Sequence, residues 1–211
     1  ALQNLLNEPN HQHLHSINSH VEKGWGACML YRVVVRPTSV APGEPGDIGS
    51  APIHLELVAD PSLPLIEGNH IFCSISGAGE TDRAPAGLAT MTVSTHVRVD
   101  RLDPGGRKVA AIQDRMRSLL ARLAPEWSQE VVHELPASPR TFERFTGRPG
   151  GFVGGIPRRA GWAAYRDLLP RPVDRGLYLV GDSVFPGQST LATALGGHRV
   201  GTRILRDQGL D

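Results

Sequence analysis

Four stretches of strand character follow one another before residue 98 with no helical spacing between them, and this run constrains the fold most. Residues 27–35 are rich in apolar and β-branched side chains, 54–59 alternate, and 70–76 are of the same kind. Residues 88–97 alternate cleanly through Thr92, Ser94 and His96. Strands joined without crossover helices pair antiparallel. Residues 108–123 then place Val109, Ile112, Met116, Leu119, Leu120 and Leu123 at helical spacing under an arginine-rich face, which gives a helix to pack on the sheet. That Met and Leu stripe reads as core. Pro125 ends the helix, and 131–135 read as a fifth strand. The expected class is α+β.

The C-terminal part has a different grammar. Gly176-Leu-Tyr-Leu-Val-Gly-Asp-Ser-Val-Phe-Pro-Gly-Gln-Ser189 reads as an apolar strand over 177–182, a tight Phe-Pro-Gly turn, and then a helix over 190–205. A strand entering a helix through such a turn gathers free backbone N–H groups and the positive end of a helix dipole at one point, which suits an anionic or electron-rich ligand edge. Asp182, at the end of the strand, can accept hydrogen bonds from ligand hydroxyls. Many αβ units use the same local pattern as a plain connection, so the pattern alone leaves both readings open.

Composition excludes several classes. With 211 residues the chain can bury one sizeable core. Its net charge of +1 gives no ground for a nucleic-acid partner. Arg140, Arg144, Arg148, Arg158 and Arg159 lie among Phe142, Phe145 and Phe152, but no broader basic face accompanies them. No apolar run approaches the roughly 20 residues of a membrane-spanning helix, and no signal segment opens the chain. His11, His13 and His15 share one face at period two, yet no set of partners at useful spacing completes a metal site, so loop histidines are the plainer reading. Cys28 and Cys73 fall in separate strands; they read as buried thiols, bridged only if those strands are neighbours. His96 reads as a sheet histidine rather than a catalytic one.

The string Leu177–Asp182, Ser183 and Phe185-Pro186-Gly187 resembles the C-terminal flavin motif of the phytoene desaturase and carotenoid isomerase family, with Val184 and Ser189 in place of the usual Thr and second Gly. Further resemblances lie in the 70–76 strand, the Asp82-Arg-Ala-Pro-Ala-Gly87 loop and the Ser-Thr-His96 strand end. Pro139, Thr141, Thr146-Gly147-Arg148 and 153–157 match the segment that crosses the flavin ring. The string Thr146-Gly147-Arg148-Pro149, with Gly151 and Val153-Gly154-Gly155, looks closest to the bacterial carotenoid 3′,4′-desaturase branch. Residues 138–157, rich in glycine with three prolines, are expected to be a loop.

The resemblance implies an FAD-dependent oxidoreductase that removes hydride from a carotenoid or other polyene. The chain would be its C-terminal portion, because no Gly-x-Gly-x-x-Gly occurs to hold the ADP half of the cofactor. Residues 1–160 would form a substrate-binding antiparallel sheet domain. Residues 161–211 would supply the last strand and helix of an FAD-binding Rossmann-like domain, after a linker running from Trp162 to Pro172. Gly181, Asp182, Ser183, Phe185, Pro186, Gly187, Gln188 and Ser189 would bind the flavin, while Gly154 and Gly155 would let backbone approach its ring. The resemblance assigns no catalytic base and no metal. It further implies that the N-terminal FAD-binding half is the missing partner. The location implied is cytoplasmic, with a peripheral contact to the inner membrane. A related isomerase, a retinol-saturase-like enzyme and a non-catalytic binding domain stand as alternatives.

Overall fold

A computed structural model describes residues 24–37, 53–155, 169, 172–174 and 176–210. They fall into two compact units. One is Gly26–Thr146; the other joins Gly24 and Trp25 to the described residues from Gly147 onward. The histidines at 11, 13 and 15, the expected boundary at 160/161 and most of the linker after Trp162 lie outside the described residues.

The strand run of the first unit folds as expected. β1 (Gly26–Val35), β2 (Ile53–Val58), β3 (His70–Ile75), β4 (Leu88–Val97) and β5 (Val131–Ala137) make one sheet in the order β2-β3-β4-β1-β5, antiparallel at every pairing. Period two decides which side is buried. Cys28, Leu30 and Val34 of β1, Ile71, Cys73 and Ile75 of β3, and Met91 and Val93 of β4 point into the core. The opposite face carries Tyr31, Phe72, His96 and Leu135 in the open.

The helix that covers the core is α1 (Arg107–Leu123), which buries Ile112, Met116, Leu119 and Leu120, while Leu123 stays exposed. The carboxylate of Asp103 accepts from the backbone N–H groups of Arg107 (3.0 Å) and Lys108 (2.7 Å), so an anion satisfies the first turn. Those bonds hold the Asp103 carboxyl below its usual range. The buried Gln113 amide donates to the carbonyl of Ala137 (2.9 Å) and ties α1 to β5.

Residues 138–157 depart from the expected loop. Pro139–Thr146 form a helix, α2. Pro139 occupies its first turn, where a missing N–H costs nothing, and the Thr141 hydroxyl accepts from the Ser138 N–H (3.1 Å). The glycines that suggested a loop all follow Thr146.

Cys28 and Cys73 sit on β1 and β3 with β4 between them, and both are free. Burial pushes each thiol up to about 12, so neither is a nucleophile at neutral pH. Partial desolvation, and then the neighbouring His70, lower the pKa of His96 and favour its neutral form.

The second unit holds β6 (Pro172–Asp174), β7 (Leu177–Tyr178) and α3 (Thr190–Asp207). The strand expected over 177–182 ends at Tyr178. Its antiparallel partner β6 is three residues long, and among the described residues no other strand pairs with it.

Candidate functional site

The residues singled out around the Gly-Asp turn and the Gly154-Gly155 pair all lie in the second unit. Past β7 the backbone reaches Gly181, whose φ of 134° only glycine adopts readily. A Cβ added there would meet no atom of the described residues within 4 Å, which leaves space beside the turn among them. The N–H of Val184 donates to the carbonyl of Gly181 (3.3 Å) and closes a turn through Asp182 and Ser183. A cis Phe185–Pro186 bond and Gly187 then lead into α3. The guanidinium of Arg199, on α3, lies 5.8 Å from the centre of the Phe185 ring and holds turn and helix together.

Ser189 caps α3, as its residue type suggests: its hydroxyl accepts from the N–H of Ala192 (3.1 Å). Its carbonyl accepts from the N–H of Thr193 (2.9 Å). The N–H groups of Gln188, Ser189, Thr190 and Leu191 have no partner among the described residues. Gln188, Ser189 and Thr190 are exposed, so the positive end of α3 faces outward. Ser189 holds φ 112° and ψ 153°, a conformation natural to glycine. Two substitutions separate cap from strain. Ser189→Ala keeps the strain and loses the cap, at a cost of about 1 kcal/mol. Ser189→Gly relieves the strain and loses only a few tenths of a kcal/mol of capping. Thermal unfolding of this unit should rank Gly above Ser above Ala, and equal midpoints for Ser and Ala would remove the cap from the account.

Asp182 has a partner that the sequence did not reveal. The Arg148 guanidinium grips its carboxylate through three contacts of 3.1 Å, and the Ser183 hydroxyl donates to the same carboxylate (3.2 Å). Both charged side chains stay about one-third exposed (33%). Arg148 also donates to the carbonyl of Phe152 (3.2 Å), which shapes the turn leading to Gly154 and Gly155. The only sequence signal for this pairing is the Thr146-Gly147-Arg148 match.

Gly155 has a packing reason to lack a side chain. A Cβ there would lie 2.3 Å from the carbonyl oxygen of Asp182. One at Gly154 would lie 3.4 Å from the Gln188 side-chain amide, an ordinary contact. The fold thus gathers Gly154, Gly155, Asp182 and Gln188, with Ser183, Phe185, Pro186 and Gly187 contiguous to them. The donor set fits a flavin: a one-third-exposed carboxylate for vicinal hydroxyls, space beside Gly181, and amides at a helix start, without partners among the described residues, for an electron-rich ring edge.

Comparison with curated proteins finds similarity over most of this chain. A chloroplastic prolycopene isomerase of Arabidopsis thaliana is 30% identical over 151 residues, which cover 67% of this chain and 25% of that protein. Prolycopene isomerase 1 of an Oncidium hybrid cultivar is 29% identical over 167 residues, covering 77% and 25%. The Daucus carota enzyme is 27% identical over 168 residues, covering 75% and 27%. The chain is similar to prolycopene isomerases. It spans about a quarter of the length of these relatives. No protein-family model matches it.

The similarity is to proteins named isomerases rather than to the 3′,4′-desaturase branch expected from residues 146–155. The relatives are named chloroplastic, which differs from the cytoplasmic location expected. No described helix is long and apolar enough to cross a membrane.

Proposed function

We propose that the chain is the C-terminal part of an FAD-dependent enzyme that isomerises a carotenoid or similar polyene. Similarity to prolycopene isomerases over about three quarters of the chain carries this reading, and the Asp182 turn supports it locally. β7 and α3 complete a Rossmann-like FAD domain whose glycine fingerprint comes from the rest of the parent protein. The antiparallel sheet bears the polyene. Because a polyene is dissolved in lipid, the parent enzyme makes a peripheral membrane contact.

Bound flavin supplies reversible hydride chemistry at an allylic carbon. The residues of this chain bind and orient. Asp182 accepts charge-assisted hydrogen bonds from ribityl hydroxyls, and Arg148 fixes its rotamer. The amides of Gln188, Ser189, Thr190 and Leu191 and the α3 dipole favour negative charge on the pyrimidine edge. Gly154 lets backbone approach the ring.

The match of residues 146–155 favours a second reading, desaturation. The two differ in electron balance: desaturation removes a hydride and a proton and consumes an oxidant, while isomerisation consumes none. Incubated anaerobically with an equivalent of cis-polyene, the complete enzyme should yield an isomer with no lasting loss of flavin absorbance. A more conjugated product with lasting bleaching would select desaturation. An unaltered polyene with flavin bound would sink both. Asp182→Asn should weaken flavin binding roughly tenfold to a hundredfold, the usual worth of a hydrogen bond to a charged group. Unchanged affinity would remove Asp182 from the site.

A further inference from the structure

The loop joining β2 to β3 is braced from within. The Asn69 amide donates to the carbonyls of Asp60 (2.9 Å), Leu63 (3.3 Å) and Pro64 (3.0 Å), and its oxygen accepts from the Asp60 N–H (3.0 Å). So fixed, the loop holds Leu63 and Leu65 out in solvent, 54% and 52% exposed. Neither leucine adds to the core.

Beneath the loop an open groove of about 540 Å3 runs to α1. Leu63, Pro64 and Leu119 line it together with Arg101, Arg115 and Arg122. The Arg115 Nε donates to the carbonyl of Glu67 (3.0 Å), which orients its fork. The guanidiniums of Arg101 and Arg122 are exposed and carry no ion pair among the described residues. Glu67 is the only carboxylate of the lining among the described residues, and Lys108 Nζ stands 3.6 Å from it. The groove therefore presents a surplus of positive charge, with Leu123 exposed next to Arg122.

Forked guanidiniums match phosphate, and exposed leucines beside them match the boundary between headgroups and acyl chains. A soluble phosphate would explain the arginines and leave the leucines unexplained. We propose that this face docks on the surface of an anionic phospholipid bilayer, with headgroup phosphates against Arg101, Arg115 and Arg122 and with Leu63 and Leu65 in the acyl boundary. The site deepens the polyene reading by placing its membrane contact, yet it rests on residues of the first unit alone.

The test is co-sedimentation of the full chain with phosphatidylcholine vesicles that contain or lack phosphatidylglycerol. Binding should require phosphatidylglycerol and weaken as salt rises. The triple variant Arg101→Gln, Arg115→Gln, Arg122→Gln should lower partitioning about a hundredfold, from about fivefold per arginine. The charge-matched control Arg107→Gln, Arg144→Gln, Arg206→Gln should fall much less. Leu63→Ser with Leu65→Ser should lower partitioning at least tenfold while thermal unfolding stays unchanged; this pair decides if loss of the Arg115 bond disturbs the loop. Equal binding to both vesicles, equal loss in the control, or indifference to the leucine pair would overturn the proposal. Release by millimolar inorganic phosphate would overturn it in favour of a free-phosphate site. No arm uses flavin or polyene, so either reading can fail while the other stands.

Discussion

Glu134→Ala is expected to destabilise the sheet unit by about 3 kcal/mol, measured as a lower urea midpoint at neutral pH. Glu134 joins three elements. It accepts from Arg32 Nε on β1 (2.6 Å) and from Arg117 Nε (2.9 Å) and Nη2 (2.7 Å) on α1, while itself standing on β5. Arg32 is only 6% exposed, on the face of β1 that looks into the core. Truncating Glu134 leaves that guanidinium buried without a counter-charge, a change that costs about 3–5 kcal/mol in comparable cases. The lower end applies because the Glu134 side chain keeps 19% of its surface. Removing both charges should cost less: Arg32→Met with Glu134→Leu is expected to recover most of the loss. A double variant as unstable as the single one would show that the cost lies in packing rather than charge.

The same carboxylate sets an acid limit. Burial raises its pKa, but hydrogen bonds from Arg117 and Arg32 outweigh that, and the folded value lies below the ordinary 4.5. A depressed folded pKa means that the unfolded chain takes up the proton first. The stabilisation is therefore complete above about pH 4.5 and is lost as pH falls through the folded value. A urea series from neutral pH to about pH 3 should show this acid limb in the parent and a shallower one in Glu134→Ala.

Gly155→Ala should have the other large effect. Its Cβ would sit 2.3 Å from the Asp182 carbonyl oxygen, and its φ of 68° adds left-handed strain of about 1–2 kcal/mol. Contact with a backbone oxygen cannot be relieved by turning a side chain, so Asp182 must shift. We expect a loss of about 2–4 kcal/mol, within the range of overpacking plus strain. Flavin affinity should fall along with it. Gly154→Ala is the comparison: its Cβ meets the flexible Gln188 amide at 3.4 Å, so only strain of about 1–2 kcal/mol applies. Hydrogen exchange over residues 147–210 and flavin titration would read both variants. Equal effects would mean that contact with the Asp182 backbone does not matter.

The sheet was legible because each strand carries an apolar, β-branched or alternating run: the five strands lie within two residues of where those runs put them. Their order was not. β1 pairs with β4 and β5, and nothing local in Gly26–Val35 encodes partners so distant. α2 was missed because the glycines after Thr146 coloured a glycine-free stretch before them. The strand at 177–182 was drawn too long because an apolar run forms a ladder only where a neighbour exists. At the site, Gly181 to Ser189 could be read because the chain itself carries them side by side. The grip of Arg148 on Asp182 spans 34 residues and depends on tertiary folding.

The strand order also has a consequence in time. β1 is made first but lies inside the sheet, between β4 and β5, and its first residue pairs with Val97. On the ribosome it must wait with both edges unsatisfied until β4 and β5 emerge. Contacts that close so late in the chain slow folding and leave a bare, apolar edge open to other chains. The β2–β3 hairpin, whose partners are adjacent, can form meanwhile and give β4 a template. A refolding experiment should find that hairpin protected from exchange before β1.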